Sequence, residues 1–174
     1  MIRHSVRCSL PFFLCAFVAS AWCRLHPNWW SRWLLRNRRI FGLLFAFAML
    51  WQALFIAQLF VVDAALFREI VLDPRFLLVD GLGYIFIGTM SVTSFNAIRR
   101  RMSPTTWKRL HKAGMYYLWL VLAGTYVYVT LLGQFQFSPV ALAFVLALVL
   151  RIVAARHGHH QVRDAHSSRT LPTA

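Results

Sequence analysis

His111 is the residue whose type and setting carry the most chemistry. It ends the stretch Trp107-Lys108-Arg109-Leu110-His111, where a basic segment runs into an apolar one. A neutral imidazole at that depth can ligate haem iron, and two such ligands from facing helices can clamp a haem. The same ring also suits an interfacial role beside Trp107, with water or phosphate as its partner. A bis-histidine haem needs a second intramembrane histidine. His4, His26, His157, His159, His160 and His166 all fall outside the apolar runs. Met49 and Gln52 lie within one helical turn of each other. Met is a known axial ligand and Gln very rarely is. Met49 is therefore the weaker candidate ligand. The alternative is core packing for Met49 and an interhelical hydrogen bond for Gln52. Met49 is also ten residues past Arg39, roughly 15 Å of helical rise, whereas His111 stays close to its basic segment.

Three further groups merit weighing. Asp80 is ionisable within an apolar run, the usual mark of proton or substrate handling. It is also near enough to the run's start to reach water or pair with Arg75. With Gln52 and Gln58 it would suit a small transporter or channel. Gly81, Gly83 and Gly88 sit inside a membrane run without the strand and turn of a dinucleotide site, so they read as close helix packing, as do Gly114 and Gly124. The histidines of the tail, His157 to His160, have no ordered scaffold and read as a solvated tail rather than a metal site.

These residues are positioned by apolar segments. Of 174 residues 59% are hydrophobic and 14% charged, where a soluble domain carries about 25% charged. A water-facing exterior cannot be built from that composition. The expected fold is an all-α polytopic transmembrane bundle of about five spans: Leu10 to Cys23, Ile40 to Val62, Phe76 to Phe95, Ala113 to Gly133 and Pro139 to about Ala155. Residues 1–9 form an N-terminal segment, 10–155 the transmembrane domain and 156–174 a disordered cytoplasmic tail. The five spans leave no chain for a flavin or nicotinamide domain, so any redox or transport role belongs inside the membrane or to a partner protein.

Local signals refine the spans. Leu10–Cys23 has a basic start and a small-residue Ala19-Ser20-Ala21, as a cleaved signal would. Trp22 and the basic residues after it favour a retained helix. Trp29, Trp30 and Trp33 belong at headgroup level, on a short interfacial helix starting near Asn28. Ser103-Pro104 reads as the N-cap and first residue of the helix that carries span four. Cys8, Cys15 and Cys23 form no C-x-x-C pair and read as small buried hydrophobes.

The formal charge of +14 is not a nucleic-acid footprint, because the bases cluster between apolar runs. Arg24–Arg39 holds five Lys and Arg, Asn96–Lys112 six and the stretch from Arg151 four. Only two precede the first run, and two lie between Asp63 and Arg75. Alternate connections are thus basic, which places the N-terminus outside and the C-terminus in the cytoplasm of a cell (inner) membrane.

Several stretches resemble the ferric reductase-like transmembrane domain family, whose members include membrane haem cytochromes. They are Arg36–Leu43 (RNRRIFGL), Asp80–Tyr84 (DGLGY), Thr93–Phe95 (TSF), and Trp107–His111 (WKRLH) running on to Tyr116–Trp119 (YYLW). Phe17–Ala21 (FVASA) before the Trp-rich segment is similar to a short prokaryotic branch. The likeness covers about residues 5 to 155. It implies haem b, His111 as an iron ligand, electron transfer through the bilayer and a redox or membrane-complex partner. Related sequences carry further histidines where this chain has Met49 and Gln52, and again about thirteen residues after the Leu-His pair, at Gly124. Most ligand positions are therefore substituted. The alternative, to which those substitutions point, is a non-haem structural or assembly subunit of a membrane complex on the same scaffold.

Overall fold

The computed structural model describes residues 2–71, 74 and 76–167, with side chains for 8–65, 67, 68, 74 and 76–157. The described chain is helical nearly throughout. Helix α1 is Ile2–Leu25, α2 Trp29–Val62 and α3 Ala64–Val71. A π-helical turn, Phe76–Gly81, leads into α4, Leu82–Ser94, and the short α5, Asn96–Arg99. Helix α6 is Pro104–Leu131, and a 3₁₀ turn at Phe135–Phe137 leads into α7, Ser138–Ser167. Among the described residues five segments are long and apolar enough to cross a membrane: Cys8–Leu25, Trp29–Val62, Phe76–Ser94, Pro104–Leu131 and Phe135–His157. The all-α bundle of five candidate spans is therefore present.

Local chemistry sets the helix ends. The Asn28 side chain accepts from the Ser31 amide at 2.8 Å, and the Ser31 hydroxyl accepts from the Asn28 amide at 3.1 Å. This reciprocal cap satisfies two donors that a helix start leaves unpaired. The helix then continues without a break through Ile40. The short interfacial helix and span two are one rod of 34 residues, roughly 51 Å long, against about 30 Å of hydrocarbon. Nothing between Trp33 and Ile40 interrupts the backbone hydrogen bonds, since that stretch has no Pro or Gly. The arginine-bearing turns therefore extend the span out of the lipid. At α6 the Ser103 hydroxyl accepts from the Thr106 amide at 3.1 Å with Pro104 following, as the sequence predicts. Gly133 closes α6 with φ +87°, a conformation other residues reach only with strain.

Helix α1 packs on α2 and α7, α2 on α4, α4 on α6, and α6 on α7, which closes a ring. Within the ring Phe13, Phe17 and Phe144 are fully enclosed. Phe17 meets Tyr116 edge-on and stacks on Trp119, and Phe144 stacks on Tyr126. Leu10–Cys23 is thus a central element. The outer faces are apolar: Phe47, Val61 and Leu120 are 65%, 83% and 63% exposed. In water those faces would oppose folding; against lipid tails they carry no penalty. Trp29 and Trp30 remain exposed beside them, as residues of a headgroup belt do.

Three expectations change. The expected disordered tail is helical as far as Ser167, because nothing in Arg156–Ser167 ends a helix already running; 168–174 lie outside the described residues. Cys8 is exposed, while Cys15 and Cys23 are half-buried. Of the glycines expected to mediate close packing, only Gly114 and Gly83 meet a neighbouring helix. A Cβ on Gly114 would lie 2.7 Å from Met90 Sδ, and one on Gly83 would make ordinary contact with Leu118. Gly81, Gly88 and Gly124 face open space, because they lie on helix faces turned away from their neighbours.

Candidate functional site

Two cavities of the bundle bear on these residues. The larger, about 680 Å³, is bordered by His111 and by eight cations from nearly every long element. Arg24 comes from α1; Arg36, Arg38 and Arg39 from α2; Arg99 from α5; Lys108 and Lys112 from α6; and Arg151 from α7. Among the described residues no carboxylate lines it. Its floor is apolar, with Phe13, Phe45, Ile87, Met115 and Leu118 all buried. The antiparallel threading of the helices explains the gathering. Basic turns at the end of α1, the start of α2, the α4–α6 connection and the end of α7 all fall at one end of the bundle.

His111 is held by the turn opposite. Its Nε2 lies 3.2 Å from Thr93 Oγ1, and its ring sits 4.3 Å from that of Trp107. The Trp107 indole donates to the Thr93 carbonyl at 3.1 Å, and the Arg99 guanidinium lies 4.8 Å over the indole. Thr93 is buried, and its hydroxyl also lies 2.7 Å from the Thr89 carbonyl. A hydroxyl has one proton. That proton belongs to the shorter contact with the carbonyl, so the hydroxyl accepts from His111 Nε2–H. The result is a clasp between α4 and α6 in which Nε2 is a donor. Only Nδ1 then keeps a lone pair in a neutral ring.

Met49 and Gln52 do not face His111. They line the second cavity, about 70 Å³, together with Asp80 and Tyr84. Phe45, Ile87 and Leu118 border both cavities and form the partition. Met49 Sδ is 3.9 Å from the Ser9 hydroxyl. The Gln52 Oε1 and Tyr84 hydroxyl are buried without a hydrogen-bond partner among the described residues. Among the described residues Gln52 Oε1 therefore accepts no interhelical bond. Gln58 is exposed on α2. Arg75, the possible partner of Asp80, lies outside the described residues, as do the side chains of His159, His160 and His166.

A haem carried between two axial ligands requires N or S donors from facing elements. The cationic wall and apolar floor of the large cavity suit its two carboxylates and its ring. The donors do not suit its iron. His111 Nε2 is engaged by Thr93. Met49 and Gln52 lie behind the partition, and Gly124 is exposed on the outside of α6. Met90 and Met115 border the cavity, but Met90 Sδ is packed against Gly114, and Met115 is one turn along the helix that carries His111. The described residues therefore do not fit a six-coordinate haem. They contain no group of three or more His, Cys, Asp or Glu that could hold a metal ion.

Arg151 is a site residue that the sequence offers only as the first of the basic residues of the C-terminal stretch. Its guanidinium donates to the Phe17 carbonyl at 3.2 Å and lies 4.4 Å over the Phe17 ring and 4.8 Å over that of Tyr116. Arg24 returns the contact by donating to the Ala154 carbonyl at 3.3 Å. Each arginine thus bonds the other's helix. The signal available in sequence was a cation in an apolar run flanked by no acid, which implies a carbonyl or aromatic partner. No protein-family model, curated protein or solved structure matches the chain.

Proposed function

We propose that this chain is a structural or assembly subunit of a membrane complex, built on a ferric reductase-like scaffold in which haem ligation has been lost. The observation that carries this reading is the His111 clasp. His111 spends Nε2 and its ring face on joining α4 to α6. The outward apolar face of α2, of which only Ser31 and Phe45 are buried, supplies surface for a partner helix as well as for lipid. The asymmetry of basic connections favours a cell (inner) membrane with the arginine-rich end cytoplasmic. A reporter fused after Ala174 then reads cytoplasmic, and one inserted after Asp63 reads outside.

A second reading is a haem-borne electron-transfer subunit fed by a partner, with His111 as ligand. It is favoured by one observation: His111 and eight cations border the same cavity. An absorption spectrum of purified protein separates the two. The scaffold reading expects a colourless, folded preparation that migrates on a native gel in a complex larger than its own 20.2 kDa. A dithionite-reduced Soret and alpha band, abolished in His111→Ala, would overturn it in favour of the redox reading.

A further inference from the structure

The large cavity poses a charge problem that its own residues do not solve. Eight cations border it, and no carboxylate does among the described residues. Arg36 and Arg38 make no hydrogen bond or ion pair among the described residues. Arg24 and Arg39 each direct one N–H to an uncharged oxygen, of Ala154 and Asn96, and Arg151 bonds the Phe17 carbonyl and the Tyr116 side chain. A guanidinium has five such donors, so most remain for a ligand. The hydroxyls at the wall are already spent: Ser91 donates to the Ile87 carbonyl and Ser94 to the Met90 carbonyl, both at 2.7 Å. What is left over is donor capacity and positive charge, above a floor of Phe13, Phe45 and Ile87.

Two features fix the class of occupant. The charge excess demands an anion rich in acceptor oxygens, and guanidinium forks match phosphate in shape. The apolar floor demands that the anion be attached to something greasy. A free phosphate would satisfy the wall and leave the floor exposed. The cavity also lies at the end of the bundle where the chain leaves the apolar runs, which is where lipid headgroups lie. Basic pockets between transmembrane helices are suited to such headgroups.

We propose that the cavity binds an anionic phospholipid, its phosphate among the arginines and an acyl chain on the apolar floor. The inference rests on the non-haem reading, since a haem would take the same space. Because its cations come from α1, α2, α5, α6 and α7, the lipid ties all five elements together at one end of the bundle.

The test uses the full chain purified in a neutral detergent. Phosphatidylglycerol, phosphatidylcholine and inorganic phosphate are added separately, with binding read by native mass spectrometry and thermal unfolding. Phosphatidylglycerol is expected to stay bound and raise the unfolding temperature, while the other two do neither. Arg38→Gln and Arg36→Gln are each expected to weaken retention about five-fold. Arg36 is exposed and unbonded, so its variant folds even if that of Arg38 does not. Arg109→Gln, outside the cavity, leaves retention unchanged. Equal retention of phosphatidylcholine, equal protection by inorganic phosphate, or an equal loss in Arg109→Gln overturns the lipid assignment alone. A Soret band abolished in His111→Ala overturns it together with the scaffold reading.

Discussion

Replacing Thr93 with Val removes the hydroxyl that receives His111 Nε2–H and keeps the side-chain shape. It leaves the Thr93 carbonyl in place, so Trp107 retains its own 3.1 Å bond. A side-chain hydrogen bond between membrane helices is worth about 0.6 kcal/mol on average and up to about 1.7. Stranding a buried donor adds to that. Thr93→Val is therefore expected to cost about 1 kcal/mol. His111→Ala loses the same bond and the ring contact with Trp107, worth about 0.5–1.5 kcal/mol, for about 2 kcal/mol in all. If the two side chains are bonded, the double variant costs about 2 kcal/mol, not about 3, because the shared bond is lost only once. Unfolding by sodium dodecyl sulfate in mixed micelles, followed by tryptophan fluorescence, measures all three. Costs that add to within about 0.3 kcal/mol would refute the clasp, and with it the argument that Nε2 is unavailable to iron.

Arg151→Met should lower stability by about 2 kcal/mol in the same assay, since it loses a charged hydrogen bond and two ring contacts; a neutral result would refute a stabilising role for the Arg151 contacts between α7 and α1. Gly114→Leu should separate α4 from α6 and cost at least 2 kcal/mol, because a Cβ there already meets Met90 Sδ and Phe86 and overpacking is costly; wild-type stability would refute the close approach. Gln52→Met should raise stability by about 1 kcal/mol, because it removes a buried carbonyl without a partner among the described residues. A fall of similar size would show that Oε1 is satisfied, by water in the small cavity.

Composition and periodicity determined the class of this molecule. A chain 59% hydrophobic has no route to a water-facing surface, and uninterrupted apolar runs in lipid must pair their backbone within themselves. Local chemistry also fixed two helix starts, at Asn28 and Ser103, because a cap depends on neighbours three residues away. The continuity of α2 through its arginines was harder to read, since interfacial and spanning segments differ in depth and not in backbone preference.

The site was decided by the tertiary structure. That Met49 and His111 are both potential ligands is written in their side chains. That Phe45, Ile87 and Leu118 stand between their cavities depends on how three helices are rotated about their axes, which no single run specifies. The same holds for Arg151, whose partner Phe17 is 134 residues away, and for Thr93, whose hydroxyl matters only because α6 brings His111 to it. Spacing along one helix fixes which residues share a face. Which faces meet is set by packing the whole ring, and here that packing gathered the cations around one cavity and kept the other candidate ligands out of it.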